Sequence, residues 1–206
     1  MEEYFDKLGE LLNEGGFVPE DIWNMDETGF RICEGKDQMV ITKAKRAQYF
    51  GIPVNRESAT VIEAISAGGA HCPAFLIVSG KIHMARWYNL CELPSDAAIG
   101  VADTSYTNDE LTLRWLKHFD EHMSKLQVGS KRLLILDGQG SHHTRQFIQY
   151  CDDHNIVPFG LPPHLTHLLQ LLDVVIFQPL KHYHAKALDA LVRDGCINIT
   201  KFEFLS

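Results

Sequence analysis

Residues 132–137, RLLILD, are the stretch on which the fold turns. Leu133, Leu134, Ile135 and Leu136 follow one another with no polar residue between them, so neither face of a strand here is left for water. Such runs belong to the centre of a sheet covered by helices on both sides. The residues downstream suit that setting: helix around 144–153, then strand at 156–159, stopped by Leu161-Pro162-Pro163. A helical stretch surrounds 168–172, and Pro179 opens a last helix running to about Arg193.

Upstream, Thr107-Asn108-Asp109-Glu110 has the form of a capping box. Leu111, Trp115, Phe119 and Met123 then recur at four-residue steps, which predicts a long amphipathic helix with Trp115 and Phe119 in the core. Earlier still, 21–26 (DIWNMD), 38–42, 58–66 (SATVIEAIS) and 74–78 (AFLIV) read as strands, the first closed by Glu27-Thr28-Gly29. Their short connections suggest an antiparallel meander. Strands first, then helix–strand–helix–strand–helix, predict an α/β chain with a mixed central β-sheet flanked by helices. Tyr4, Phe5, Leu8, Leu11 and Leu12 mark a preceding helix ended by Gly15-Gly16. The chain thus divides into an acidic helical segment, 1–20, and one domain, 21–206.

The 206 residues carry 19 Lys+Arg against 27 Asp+Glu, a net charge of −8. Taken whole, that sign opposes binding to a phosphate backbone. Residues 1–30 alone hold nine acids and one base, however, so the rest, with 18 of each, is neutral. Five scattered cysteines (Cys33, Cys72, Cys91, Cys151, Cys196) include no C-x-x-C pair, which argues against a disulfide framework and a cysteine zinc site. The acidic start lacks the apolar run of a signal peptide, and the longest apolar stretch, 72–78, is too short to span a bilayer. A soluble protein of a reducing compartment, cytosol or nucleus, is the expectation.

Three acids stand in telling places. Asp26 and Asp137 each end an apolar strand and precede turn-forming residues, and Asp173 interrupts the apolar run 168–177. Strand ends hold a side chain rigidly while leaving it accessible. A charge within an apolar run requires pairing, water or a metal. Phosphodiester hydrolysis by two Mg²⁺ or Mn²⁺ ions needs such carboxylates, since hard cations prefer oxygen. Competing motifs are missing: the second Asp of an aspartyl-phosphate loop after Asp137, the third Gly of a dinucleotide fingerprint, a Gly-Lys-Ser/Thr phosphate loop and a G-x-S-x-G elbow.

Three linked motifs, 24–30 (NMDETGF), 133–144 (LLILDGQGSHHT) and 161–181 (LPPHLTHLLQLLDVVIFQPLK), resemble the DDE superfamily endonucleases of the pogo, Tigger and jerky-type transposases. Residues 58–69 and Trp87 are similar to the family's middle section, and 35 residues separate Asp137 from Asp173, as is typical of the group. The resemblance implies a ribonuclease H-like fold, with Asp26 on the first strand, Asp137 ending the fourth and Asp173 on the helix after the fifth. It further implies that these three bind two Mg²⁺ (or Mn²⁺) ions and serve as the catalytic residues of a DNA-cleaving and 3′-hydroxyl-joining reaction. DNA would be the partner, with a homodimer in the DNA complex, no membrane, no small-molecule cofactor and a nuclear location. The alternative is a domesticated nuclear derivative that binds DNA or protein without cutting.

The chain departs from the family pattern at Leu171 (usually Pro), Val175 (usually Gly) and Gln139 (commonly His). The helix-turn-helix region that reads DNA in such transposases is expected to be absent from this chain, and the C-terminal part to be truncated. Lys43, Lys45, Arg46 and Lys181 form a candidate phosphate track, with Lys131, Arg132 and Lys186 as further members; ordinary solvated surface explains them equally well. His142 and His167, within the motifs, are candidates for supporting the carboxylates or facing DNA. Trp87 beside Arg86 reads as a packing residue.

Overall fold

Six strands form one mixed sheet among the residues that the computed structural model describes, which are 2–32, 57–91, 93–137, 142, 144–162, 171–193 and 199–205. They are β1 (Ile22–Arg31), β2 (Ser58–Ser66), β3 (Phe75–Ser79), β4 (Ala98–Ala102), β5 (Arg132–Leu136) and β6 (Ile156–Gly160), in the order β4-β3-β2-β1-β5-β6. β1, β2 and β3 make the expected antiparallel meander, while β4, β5 and β6 each run parallel to their inner neighbour. The strand expected at 38–42 lies outside the described residues.

Two strands differ from the sequence reading. β1 does not stop after Asp26 but continues to Arg31, because each residue through Gly29, Phe30 and Arg31 finds a partner on β2. Nine paired residues of ladder outweigh the turn character of Glu27-Thr28-Gly29. β4 was not anticipated. Its sequence, AIGVA, is weakly apolar, and it pairs in parallel with the preceding strand, β3, rather than as a hairpin. Gly100 in β4 lies so near α3 (Asp109–Met123) that a Cβ there would stand 2.8 Å from the Leu111 side chain. With β4 present, Asp137 follows the fifth strand and Asp173 comes after the sixth, one later than the resemblance implied.

Side-chain alternation along the strands builds two cores. Trp23, Met25, Ile62, Ala64, Phe75, Ile77, Leu134 and Leu136 face Trp115, Leu116 and Phe119 of α3 and Phe147 and Cys151 of α4 (Arg145–Asp153). Trp115 and Phe119 are therefore core residues, as their spacing indicated. Phe30, Ala59, Val61, Leu76, Val78 and Ile99 form the opposite face with Trp87 of α2 (Arg86–Leu90), which packs as expected. α5 (Gln178–Arg193) and α6 (Lys201–Leu205) cover the same side, where His184 and Phe204 each meet the Phe30 ring. α1 (Glu2–Gly15) closes at Gly16, whose φ of 62° is the left-handed conformation that commonly follows a helix. Its Tyr4 ring lies 5.2 Å from Phe159 on edge strand β6.

Candidate active site

The parallel register between β1 and β5 sets the site. Asn24 is opposite Ile135, and two residues further along each chain stand Asp26 and Asp137. The two acids therefore leave neighbouring strands at the same end of the ladder. Asp26 is not at a strand end, as its sequence context suggested, but within β1, opposite Glu63 of β2. Asp137 is the first residue after β5.

Asp173 opens a π-helical turn, Asp173–Phe177, that packs against β1 and runs into α5. A wide turn of this kind lets neighbouring side chains depart from helical spacing, and such turns are frequent at functional sites. Leu172 and Phe177 are buried, whereas Leu171, Asp173 and Val175 are exposed. Two of the three departures from the family pattern, Leu171 and Val175, thus point their side chains into solvent.

An all-carboxylate donor set fits Mg²⁺ or Mn²⁺ and suits zinc poorly. Among the described residues, though, no three His, Cys, Asp or Glu side chains are gathered tightly enough to hold a metal ion. Register thus brings Asp26 and Asp137 side by side, and Asp173 approaches from the helical layer without completing a three-ligand cluster.

Behind Asp137 lies a buried polar group that sequence reasoning saw only in part. His142 is 1% exposed; its Nδ1 is 3.1 Å from Asp137 Oδ1 and 3.3 Å from the Asp137 carbonyl oxygen. Both are acceptors, so Nδ1 carries the proton and donates. Nε2 faces Glu27 Oε1 at 3.9 Å, and the Thr107 hydroxyl donates to Glu27 Oε2. Burial alone would lower the His142 pKa, but hydrogen bonds to Asp137 and the charges of Asp137 and Glu27 hold it above its ordinary value. Burial raises the Glu27 pKa, opposed by the Thr107 hydrogen bond and His142 and reinforced by the Asp137 charge. Glu63 is pushed up to about 7 by burial. His142 is enclosed and turned toward Asp137 and Glu27 rather than toward solvent. Glu27 was legible only as one acid of the first motif, and no sequence spacing links it to His142 or Thr107.

Thr107 also departs from the expected capping box. The N-cap of α3 is Asn108, whose Oδ1 accepts from Leu111 N at 2.9 Å, which leaves the Thr107 hydroxyl for Glu27.

The basic residues separate. Lys181 is exposed on α5, as a phosphate contact requires. Lys43, Lys45, Arg46 and His167 lie outside the described residues, as does Gln139. Arg132 does not join a phosphate track: it is 2% exposed, with Nη2 donating to Asp120 and, at 3.2 Å, to the His154 carbonyl oxygen. Its guanidinium lies over the Phe119 ring, and the Tyr150 hydroxyl donates to the other Asp120 oxygen at 3.1 Å. Cys72, Cys91 and Cys151 are free and buried, with the Cys72 and Cys151 thiols pushed up to about 12, chiefly by burial. They are unreactive core residues.

A mixed sheet of this order, helices on both faces and acids emerging from its central parallel pair, is the ribonuclease H-like architecture. The DDE superfamily endonuclease family matches residues 55–197, and the chain belongs to that family. The Mos1 strand transfer complex shares the fold with a TM-score of 0.59 at 11% identity, over 99% of this chain and 56% of that one. The Mos1 mariner paired end complex with Mn gives 0.57 at 11% identity, over 97% and 55%. The Mos1 transposase catalytic domain with Raltegravir and Mg gives 0.53 at 11% identity, over 97% and 81%. A curated relative from Cochliobolus lunatus, the MFS-type transporter clz9, is 38% identical over 190 residues, or 91% of this chain. The chain spans only 21% of that relative's length. No helix among the described residues is long and apolar enough to cross a membrane.

Proposed function

We propose that the chain is the catalytic domain of a transposase-type DNA endonuclease, in which Asp26, Asp137 and Asp173 hold two Mg²⁺ or Mn²⁺ ions. The observation that carries this reading is the β1–β5 register, which sets Asp26 and Asp137 on adjoining strands at one end of the ladder. When bound, the ions supply an activated water and stabilise the leaving oxygen of the phosphodiester. The chain's own part is positional. Asp26 is fixed by a ladder on one side and the end of β5 on the other, while Asp173 adds an exposed carboxylate from the helical layer. His142, with Glu27 behind it, holds Asp137 from within the fold. DNA is the substrate and Lys181 a phosphate contact, joined by Lys43, Lys45, Arg46 and His167. A second copy pairs with the first on DNA, in the nucleus. The Mos1 neighbours, described as strand transfer and paired end complexes, support the choice of DNA and of a paired assembly.

Incubating the chain with supercoiled plasmid and Mn²⁺ tests the reading. Nicking is expected, falling to the chelator background in Asp137→Asn. The second reading, a domesticated DNA-binding protein without cleavage, is favoured by the lack of a three-ligand cluster among the described residues. It requires salt-dependent DNA binding that Asp137→Asn leaves unchanged, and no nicking by the parent chain.

A further inference from the structure

We infer that His142 is a positioning residue that fixes the Asp137 carboxylate for cation binding, with Glu27 and Thr107 as the brace behind it. The inference rests on the reading of Asp137 as a metal ligand. Nδ1 of His142 contacts both the side-chain and the main-chain oxygen of one residue, at 3.1 and 3.3 Å. A donor shared in this way ties the Asp137 side chain to its own main chain and so sets its χ1 and χ2 angles. The imidazole is itself held. Its other nitrogen looks onto Glu27 Oε1, and both atoms are buried without a hydrogen bond. The second Glu27 oxygen accepts from Thr107, in the loop between β4 and α3. The ring also lies 5.7 Å from Phe147 of α4. His142 is thereby fixed from three elements, β1, the β4–α3 loop and α4, and acts on a fourth, the end of β5. Ligating carboxylates are commonly oriented by such outer partners, whose loss costs about 10–100-fold in metal affinity.

A purely packing role would use the ring's volume; a positioning role uses its donor. Two substitutions separate these. His142→Phe keeps a ring against Phe147 and removes the donor. His142→Asn loses the ring but places an amide N–H at the same bond distance from Cβ as Nδ1. Mn²⁺ affinity of the whole chain, measured by titration calorimetry and by the Mn²⁺ electron paramagnetic resonance signal, is the readout, alongside thermal unfolding without metal. Mn²⁺ binding about 10–100-fold weaker in His142→Phe, and within about threefold of the parent in His142→Asn, is expected. Parent-like affinity in His142→Phe, or a loss in His142→Asn as large as in His142→Phe, overturns the inference. Asp137→Asn is the control for the reading beneath it. If that variant binds Mn²⁺ as the parent does, or the parent binds none, Asp137 is no ligand and both fail. If Asp137→Asn loses the metal while His142→Phe keeps it, only the role of His142 falls.

Discussion

Glu63 stands opposite Asp26 across the β1–β2 ladder, and burial pushes its carboxyl up to about 7 from an ordinary value of 4.5. A folded-state pKa above the unfolded one means that the native chain holds the proton more tightly. The resulting stability is complete below about pH 4.5 and is lost as pH rises through about 7. With one unit worth about 1.4 kcal/mol, the loss amounts to about 3 kcal/mol by pH 8. Metal-free urea denaturation of the parent and Glu63→Gln at pH 5 and pH 8 measures it. The variant is expected to be the more stable at pH 8 by up to about 3 kcal/mol and to differ little at pH 5; equal stability at both pH values sinks the assignment. Arg132 is buried too, but it is paired: its guanidinium meets the half-buried Asp120 and a carbonyl oxygen, so it serves the core rather than DNA. Neither environment is readable from the residue or its sequence neighbours. Both arise from strands and helices that meet across the fold.

The elements themselves were largely legible. Leu133–Leu136 are apolar without a break, and their strand is enclosed by α3 and α4 on one side. The spacing of Leu111, Trp115, Phe119 and Met123 gave the buried stripe of α3 directly. The start of α3 was misread by one residue, because Thr107 and Asn108 are both competent caps and only the tertiary contact with Glu27 decides between them. That division of labour is testable. Asn108→Ala removes the acceptor for Leu111 N and should cost about 1 kcal/mol in chemical denaturation. Thr107→Ala leaves that cap intact and should act instead on the Glu27–His142 group. If Thr107→Ala shortened α3 and Asn108→Ala did not, the cap would be at 107 after all. β4 escaped notice for a different reason. Five small or weakly apolar residues give no period, and their strand exists because β3 offers a parallel edge. In the candidate site, Asp26, Asp137 and Asp173 were visible as acids in apolar surroundings. The Glu27–His142 contact was not, since it joins two residues far apart in the chain.

At the scale of the whole molecule the charge is polarised, and this bears on DNA. The −8 carried by residues 1–30 includes Asp6, Glu10 and Glu14 on α1, and Tyr4 docks that helix against β6. β6 is the edge strand beside β5, so the acidic helix flanks the half of the sheet from which Asp137 emerges. A phosphate backbone approaching Asp26 and Asp137 meets the field of this helix, which a neutral remainder does not offset. Fields of this kind act over roughly 10 Å at 0.1 M salt and reach further as salt falls. Replacing Asp6, Glu10 and Glu14 together with their amides leaves Tyr4 and its contact with Phe159 in place. DNA binding, followed by fluorescence anisotropy with a short duplex, should then tighten on the order of three- to tenfold at about 20 mM salt. The gain should vanish near 0.5 M salt, where the screening length is only a few ångströms. A gain that persisted at high salt would point to an altered contact rather than to the field. No gain at low salt would mean that DNA reaches the sheet from the side of β4, away from α1.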